Sequence, residues 1–267
     1  KKSLGQNFLI DKNIIDKIIN TVSIGGNEVI EVGPGTGNLT KEILKNNPSK
    51  LYLIEKDTLL AENLKEIIDE RVKIFNEDIL KFDEKLLSKN KIIVFGNLPY
   101  NISTEILSTW ITKLKDDYWF SDLILMFQKE VADRIIAHSN TSAYGRLSIL
   151  ANWRLNITKI CDISPESFSP RPKIQSSLIH FTPKKDFAKI KDPSNLEKIT
   201  RIFFKPIEDY TVKFTILSNF EIIKDIRIVS FLDFFNEFTY QEYNKYSFFT
   251  RYFKNSCIRS ALWYYYF

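Results

Sequence analysis

The sequence has little of what many metal and hydrolytic sites are built from. Two cysteines, Cys161 and Cys257, and two histidines, His138 and His180, stand far apart among 267 residues. None has a partner at metal-ligand spacing, so no metal site is expected, and Ser-His-Asp chemistry lacks material. Each histidine reads as a surface or strand residue. Unpaired, distant cysteines point to a reducing compartment, the cytoplasm. No apolar run reaches the roughly 18 residues of a helical membrane span. The opening, Lys1-Lys2-Ser3-Leu4-Gly5-Gln6, lacks the apolar core of a signal peptide. Methionine occurs once, at Met126, so residues preceding Lys1 are expected. Glycine is absent beyond Gly145 and proline beyond Pro206.

What is present fits a soluble globular chain. Hydrophobic content of 44% and charged content of 27% exclude a disordered or collagen-like class. The length allows one sizeable core and a second small domain. A net charge of +5 and pI near 8.9 give a mild bias towards polyanions.

The punctuation alternates strand with helix. Asp11 can cap a helix from Lys12 to about Val22, with Ile14, Ile15, Ile18 and Ile19 on one face. Val29–Val32 reads as a strand, Leu39 to about Lys45 as a helix, and Leu51–Ile54 as the next strand. Asp57 opens a helix from Thr58 to about Glu70, with Leu59, Leu60, Leu64, Ile67 and Ile68 apolar. Strands are expected at Val72–Phe75, Lys91–Phe95 and Leu123–Phe127, and a helix from Ser103 to Leu114 with Trp110 and Leu114 inward. Further helices begin near Gln128 and Tyr144. The last strands span Arg154–Ile160 and Ile174–Phe181. Five strand–helix units predict a doubly wound, mostly parallel sheet, and the closing pair an antiparallel edge hairpin. Pro183–Pro193 is charged and reads as a linker. The expected division is a catalytic domain at 1–182, a linker at 183–194 and a small C-terminal domain at 195–267.

Three stretches carry candidate chemistry. Gly33-Pro34-Gly35-Thr36-Gly37 sits between a strand and a helix, where glycines let a ligand approach the backbone. With Glu31 it makes E-x-G-x-G-x-G, which differs from the G-x-G-x-x-G of dinucleotide binders and resembles the S-adenosylmethionine loop of methyltransferases. Glu55 follows about 20 residues later, where a carboxylate can hold ribose hydroxyls. Asp78 ends the third strand and can accept from an adenine amine, or serve as a turn or cap. Asn97-Leu98-Pro99-Tyr100 ends the fourth strand, at the carboxyl edge where open α/β sheets bind ligands. An amide oxygen beside an aromatic ring suits a planar amino group on a stacked base. Read alone, the four residues are equally a turn with Asn97 capping a helix.

In order, Gly5-Gln6-Asn7-Phe8-Leu9, Glu31 to Thr40, Glu55, Asp78, Asn97-Leu98-Pro99-Tyr100 and Phe168-Ser169-Pro170-Arg171-Pro172 resemble the ribosomal RNA adenine N6-dimethyltransferases. Asn101 to Thr104, Gln128 to Ala132 and Tyr144 to Ser148 look more like the small-subunit branch than the large-subunit one. The resemblance covers about residues 1–204. It implies a Rossmann-like methyltransferase fold with a mostly parallel seven-stranded sheet, an antiparallel edge hairpin and a small, mainly helical C-terminal domain. It implies S-adenosylmethionine as methyl donor and small-subunit rRNA in a pre-30S particle as substrate, dimethylated on two adjacent adenosines of a hairpin near its 3′ end. A monomer without metal or membrane is expected. By position, Gln6, Asn7 and Leu9 would cover the cofactor, and Gly33, Gly35 and Gly37 shape its pocket. Glu55 would hold its ribose and Asp78 its adenine amine, flanked by Lys56 and Ile79. Asn97, also beside the cofactor, and the Leu98 carbonyl would face the target amine. Pro99 stiffens that turn, and Tyr100 and Phe168 would sandwich the target base.

The pattern breaks after Phe204. From Phe203 onward 21 of 65 residues are aromatic, against 16 in the preceding 202. A diverged RNA-binding tail, an aromatic partner surface and an A+T-rich stretch read out of frame each fit that composition. Two other functions are expected alternatives: a catalytically weak ribosome-assembly factor on the same scaffold, or a large-subunit rRNA adenine methyltransferase. An N6-adenine DNA methyltransferase fits less well, because of the Gln6 to Leu9 segment and the Phe168 loop.

Overall fold

A computed structural model describes residues 7–84, 87–88, 90–114, 118–139, 141–188, 190 and 192–203. Gln6, the tail after Phe203 and most of the expected C-terminal domain lie outside the described residues. A two-residue strand, β1 (Phe8–Leu9), is followed by α1 (Lys12–Ile19), β2 (Glu28–Val32), α2 (Asn38–Lys45), β3 (Lys50–Ile54) and α3 (Thr58–Leu64). Then come β4 (Val72–Phe75), β5 (Ile92–Gly96), α4 (Ser103–Lys113), β6 (Phe120–Gln128), α5 (Lys129–Ile136) and α6 (Arg146–Arg154). The described chain closes with β7 (Leu155–Ile163), β8 (Phe168–Ser169), β9 (Ser176–Pro183) and α7 (Pro193–Phe203). No helix of the described residues is long and apolar enough to cross a membrane.

The sheet has seven strands in the order β4-β3-β2-β5-β6-β9-β7. The five from β4 to β6 pair in parallel, and β9 pairs antiparallel with both β6 and β7. Alternation along each strand feeds two cores. Ile30, Val94 and Leu125 face α4, α5 and α6, packing on Leu107, Ile135 and Ala151. Val29, Ile93 and Phe95 face the other way, with Ile18 of α1, Ile43 of α2 and Leu64 of α3. Both faces are therefore covered, which is why the central strands read as continuous apolar runs.

Local chemistry sets most boundaries. The Asp11 carboxylate accepts from the backbone N–H of Asn13 (2.9 Å) and caps α1. That helix stops at Ile19 rather than Val22, because Asn20 turns its side-chain amide onto the Asp16 carbonyl at 2.8 Å. The expected helix to Glu70 ends at Leu64 instead. Its last turn tightens into three-residue bonds, including Ile67 N–H to the Leu64 carbonyl at 3.0 Å. That turn brings Ile67 over Gly37 and throws Ile68 outward, 97% exposed; Leu59 is exposed as well. α1 and α3 are shorter than the pattern predicted, α2 is not, and the β4-to-β5 connection shows no α-helix among the described residues. The strand expected from Arg154 runs from Leu155 to Ile163. Arg154 ends α6, buried, and its guanidinium donates to the Leu114 carbonyl at 2.6 Å and lies over Trp153 and Phe187. Trp110 and Leu114 are buried as expected.

Phe95 is fully buried one residue before the strand's end. Phe95→Ala is expected to cost about 3–5 kcal/mol, read as a lower urea midpoint with an unchanged slope.

Candidate active site

The parallel register gathers the site. Val32 pairs with Ile54 of β3 and with Gly96 of β5. The next residue on each strand is therefore Gly33, Glu55 or Asn97, side by side at the carboxyl edge. Gly33, Gly35 and Gly37 have φ of 69°, 57° and 77°, a region L side chains rarely adopt. A Cβ on Gly33 would stand 3.2 Å from the Asn97 carbonyl oxygen, and one on Gly35 only 2.6 Å from the Phe8 ring. Gly37 faces Leu64 and Ile67 instead, so it seats the loop on α3.

Two carboxylates lie in or under this loop. Glu55, buried, accepts from Gly35 N–H at 3.1 Å and Asp57 N–H at 2.9 Å. Burial raises its pKa, while those N–H groups pull it back. A carboxylate offers about four lone-pair directions, so acceptor capacity remains. Glu31 is almost fully buried and accepts from the Thr40 hydroxyl at 2.6 Å. Burial pushes its carboxyl up to about 8 against the pull of that hydroxyl, and the Glu55 charge pushes the same way. Glu31 is thus mostly neutral at neutral pH. It was not among the expected site residues, although its place at the head of E-x-G-x-G-x-G was the signal that could have found it.

Asn97 donates from Nδ2 to the main-chain carbonyl of Asn7 at 2.9 Å. A carbonyl only accepts, so the amide nitrogen must face it and Oδ1 points the other way. Asn97 caps no helix; Ile102 holds the cap position of α4. The turn between them is closed by the Pro99 carbonyl, which accepts from Ile102 and Ser103 N–H at 3.1 and 3.0 Å. The Tyr100 hydroxyl lies 2.5 Å from Oγ of Ser176, the buried first residue of β9. Burial raises the phenol's pKa despite this bond, so Tyr100 acts as a neutral ring.

Asn7, Phe8, Gly33, Gly35, Glu55, Asn97, Leu98, Pro99 and Tyr100 line one narrow cleft of about 50 Å³. Other expected site residues lie outside that lining. Leu9 is buried in the core beneath it. Lys56 and Asp78 form an ion pair at 2.7 Å that, with the Leu80 N–H, holds the Asp78 carboxyl below its usual range. Ile79 lines a second cleft with Phe82, Trp110 and Trp119. Phe168 is 3% exposed, belongs to the buried cluster that holds Leu9 and Ile163, and is not in the lining of the cleft. Among the described residues no cluster of three or more His, Cys, Asp or Glu could hold a metal.

The family profile described as ribosomal RNA adenine dimethylase matches residues 1–221. The chain belongs to the ribosomal RNA adenine dimethylase family. It is 63% identical over 204 residues to ribosomal RNA small subunit methyltransferase A of Pelagibacter ubique (strain HTCC1062), spanning 76% of this chain and 78% of that protein. To the protein of that name from Rhizobium etli (strain CIAT 652) it is 40% identical over 210 residues, 76% of each chain. A solved dimethyladenosine transferase from Plasmodium falciparum superposes with a TM-score of 0.60 at 31% identity, over 67% of this chain and 64% of that one. The 23S rRNA methyltransferase ErmE, at 21% identity and TM-score 0.60 over 80% of this chain and 85% of that one, shares the fold. The expected Rossmann-like methyltransferase class is therefore the observed one. As a ribosomal RNA adenine dimethylase the chain is an enzyme that uses S-adenosylmethionine and acts on rRNA.

The buried Glu31 of this adenine dimethylase makes a pH prediction. Its folded pKa is raised from 4.5 to about 8, so the folded state holds the extra proton. Its stabilising contribution is full below pH 4.5 and is lost as pH rises through about 8. Glu31→Gln is expected to flatten the fall in melting temperature across that window. A variant slope identical to wild type would contradict the assignment.

Proposed function

We propose that this chain transfers methyl groups from S-adenosylmethionine to N6 of two adjacent adenosines in a hairpin near the 3′ end of small-subunit rRNA. The product is N6,N6-dimethyladenosine, made in the cytoplasm by a monomer acting on a pre-30S particle, without a metal. The observation that carries the reading is the Asn97 amide, whose Nδ2 is taken by the Asn7 carbonyl so that Oδ1 is left as an acceptor in a residue lining the same cleft as Tyr100.

The residues present fit the cofactor. The glycine loop has no room for a Cβ at Gly33 or Gly35, which leaves backbone as the pocket wall. Glu55 keeps lone pairs for ribose hydroxyls, and Asp78, with Lys56 and Ile79 around it, is the acceptor proposed for the adenine amine. Asn7 and Phe8 cover the cleft, with Leu9 anchoring that cover; Gln6 is proposed to extend it. Bound, S-adenosylmethionine would supply a methyl group on a cationic sulfonium, which departs as a neutral thioether, and the methylated amine, cationic at first, would release its extra proton to solvent. The chain's own task is to prepare a weak nucleophile. Adenine N6 has a lone pair delocalised into the ring. Asn97 Oδ1 and the Leu98 carbonyl, accepting its two N–H bonds, favour a pyramidal nitrogen with a localised pair. Tyr100 stacks on the base once it is unstacked from its RNA. Phe168 is proposed as the second face, which requires its ring to be uncovered when RNA binds. No strong base is needed, so positioning and electrostatics carry the catalysis. The catalytic domain is proposed to end near residue 182, with RNA grip shared by the chain beyond the linker.

The test is incubation of the protein with labelled S-adenosylmethionine and undermethylated small subunits, followed by mass spectrometry of the digested rRNA. Dimethyladenosine at two adjacent positions is expected. Cofactor binding and subunit binding without dimethyladenosine would contradict the enzymatic reading and favour an assembly factor; label in large-subunit RNA would contradict the substrate.

A further inference from the structure

We propose that the segment Asn7–Leu9 is a strap that sets the orientation of Asn97, and that Asn38 is the positioning residue that holds the strap. The inference rests on the reading of Asn97 as acceptor for the target amine, and it gives the N-terminal segment a task beyond covering the cofactor.

An Asn side chain has two ends of nearly equal size and opposite hydrogen-bonding character. Only a partner of one character can choose between them. Here the partner is the Asn7 carbonyl, which accepts and cannot donate. If that carbonyl drifts away, nothing described selects the orientation of the amide. Turned over, Asn97 would present its own N–H groups to the N–H groups of the adenine amine, donor against donor.

The carbonyl is only as fixed as the strap that carries it. Asn38, at the first turn of α2, donates from Nδ2 to the Leu9 carbonyl at 2.8 Å. The Phe8 ring lies on Gly35, too close to admit a Cβ there. Gly35 in turn donates its N–H to Glu55. On the far side, Leu9 pairs with Phe168, and the Ser167 carbonyl accepts from Ile10 N–H at 2.9 Å. Contacts thus run unbroken from Glu55 through Gly35, Phe8 and Asn7 to Asn97, from the cofactor side of the cleft to the target side. The Asn38 side chain clips the strap directly to the glycine-loop helix. It lines neither of the two clefts described above.

Asn38→Ala and Asn38→Asp test the proposal together. Aspartate keeps the size of asparagine and suits a helix N-terminus, so it guards against simple misfolding, yet it cannot donate to the Leu9 carbonyl. Both variants are expected to lower the single-turnover methyl-transfer rate, at saturating cofactor and RNA, by about 10- to 100-fold. Cofactor affinity should move far less. The side-chain amide of Asn97, assigned in a ¹⁵N spectrum by its disappearance in Asn97→Ala, should exchange slowly with water in wild type and faster in both variants. Unchanged transfer with unchanged amide exchange would overturn the proposal. So would a loss confined to cofactor affinity, which would leave the strap a cover only. Wild-type protein that transfers no methyl group would overturn the functional reading, and the amide exchange would then decide the strap's role on its own.

Discussion

The site depends on one constraint, the parallel register of three buried strands. Because Val32, Ile54 and Gly96 end β2, β3 and β5 at one level, three residues distant in sequence emerge together. A slip of one residue in β5 would turn Phe95 to the opposite core and carry Asn97 away from Gly33. The register is enforced from both faces, since these strands are packed by helices above and below. Rigid elements thus hold the groups whose placement the chemistry needs, and the loops between them supply the shape of the cleft.

On that frame the polar groups are handled in two ways. Burial raises the pKa of both Glu55 and Glu31, but backbone N–H groups oppose the rise at Glu55, whereas at Glu31 the Thr40 hydroxyl opposes it and the Glu55 charge adds to it. Asn97 and Tyr100 are each tied by one hydrogen bond to a segment distant in sequence, Asn7 and Ser176. The carboxyl edge is therefore completed by an N-terminal strap on one side and the antiparallel β9 on the other.

Much of this was legible in the residues. Continuous apolar runs such as Ile92–Phe95 marked the buried strands, and glycine spacing with Glu55 marked the cleft. The Gly and Pro around residues 97–100 marked the end of a buried strand, where these residues line the cleft. What was not legible depends on contacts distant in sequence. The pairing of Phe8–Leu9 with Phe168–Ser169 leaves no local period, and it buries the Phe168 ring that resemblance had placed against the target base. The early end of α3 brings Ile67 onto Gly37, a contact that no helical wheel shows. The neutral state of Glu31 follows from burial, and a strand ending in an acid does not reveal it. Asp78 was marked as the acid ending a strand and Lys56 and Ile79 by resemblance, and none of the three is in the lining of the cleft.

The role proposed for Asn97 is to prepare the target amine. Single-turnover methyl transfer by Asn97→Ala on small-subunit particles tests it, with cofactor binding measured by calorimetry on the same protein. Transfer is expected to be abolished while the cofactor still binds. Transfer at the wild-type rate would show that Asn97 does not have this role.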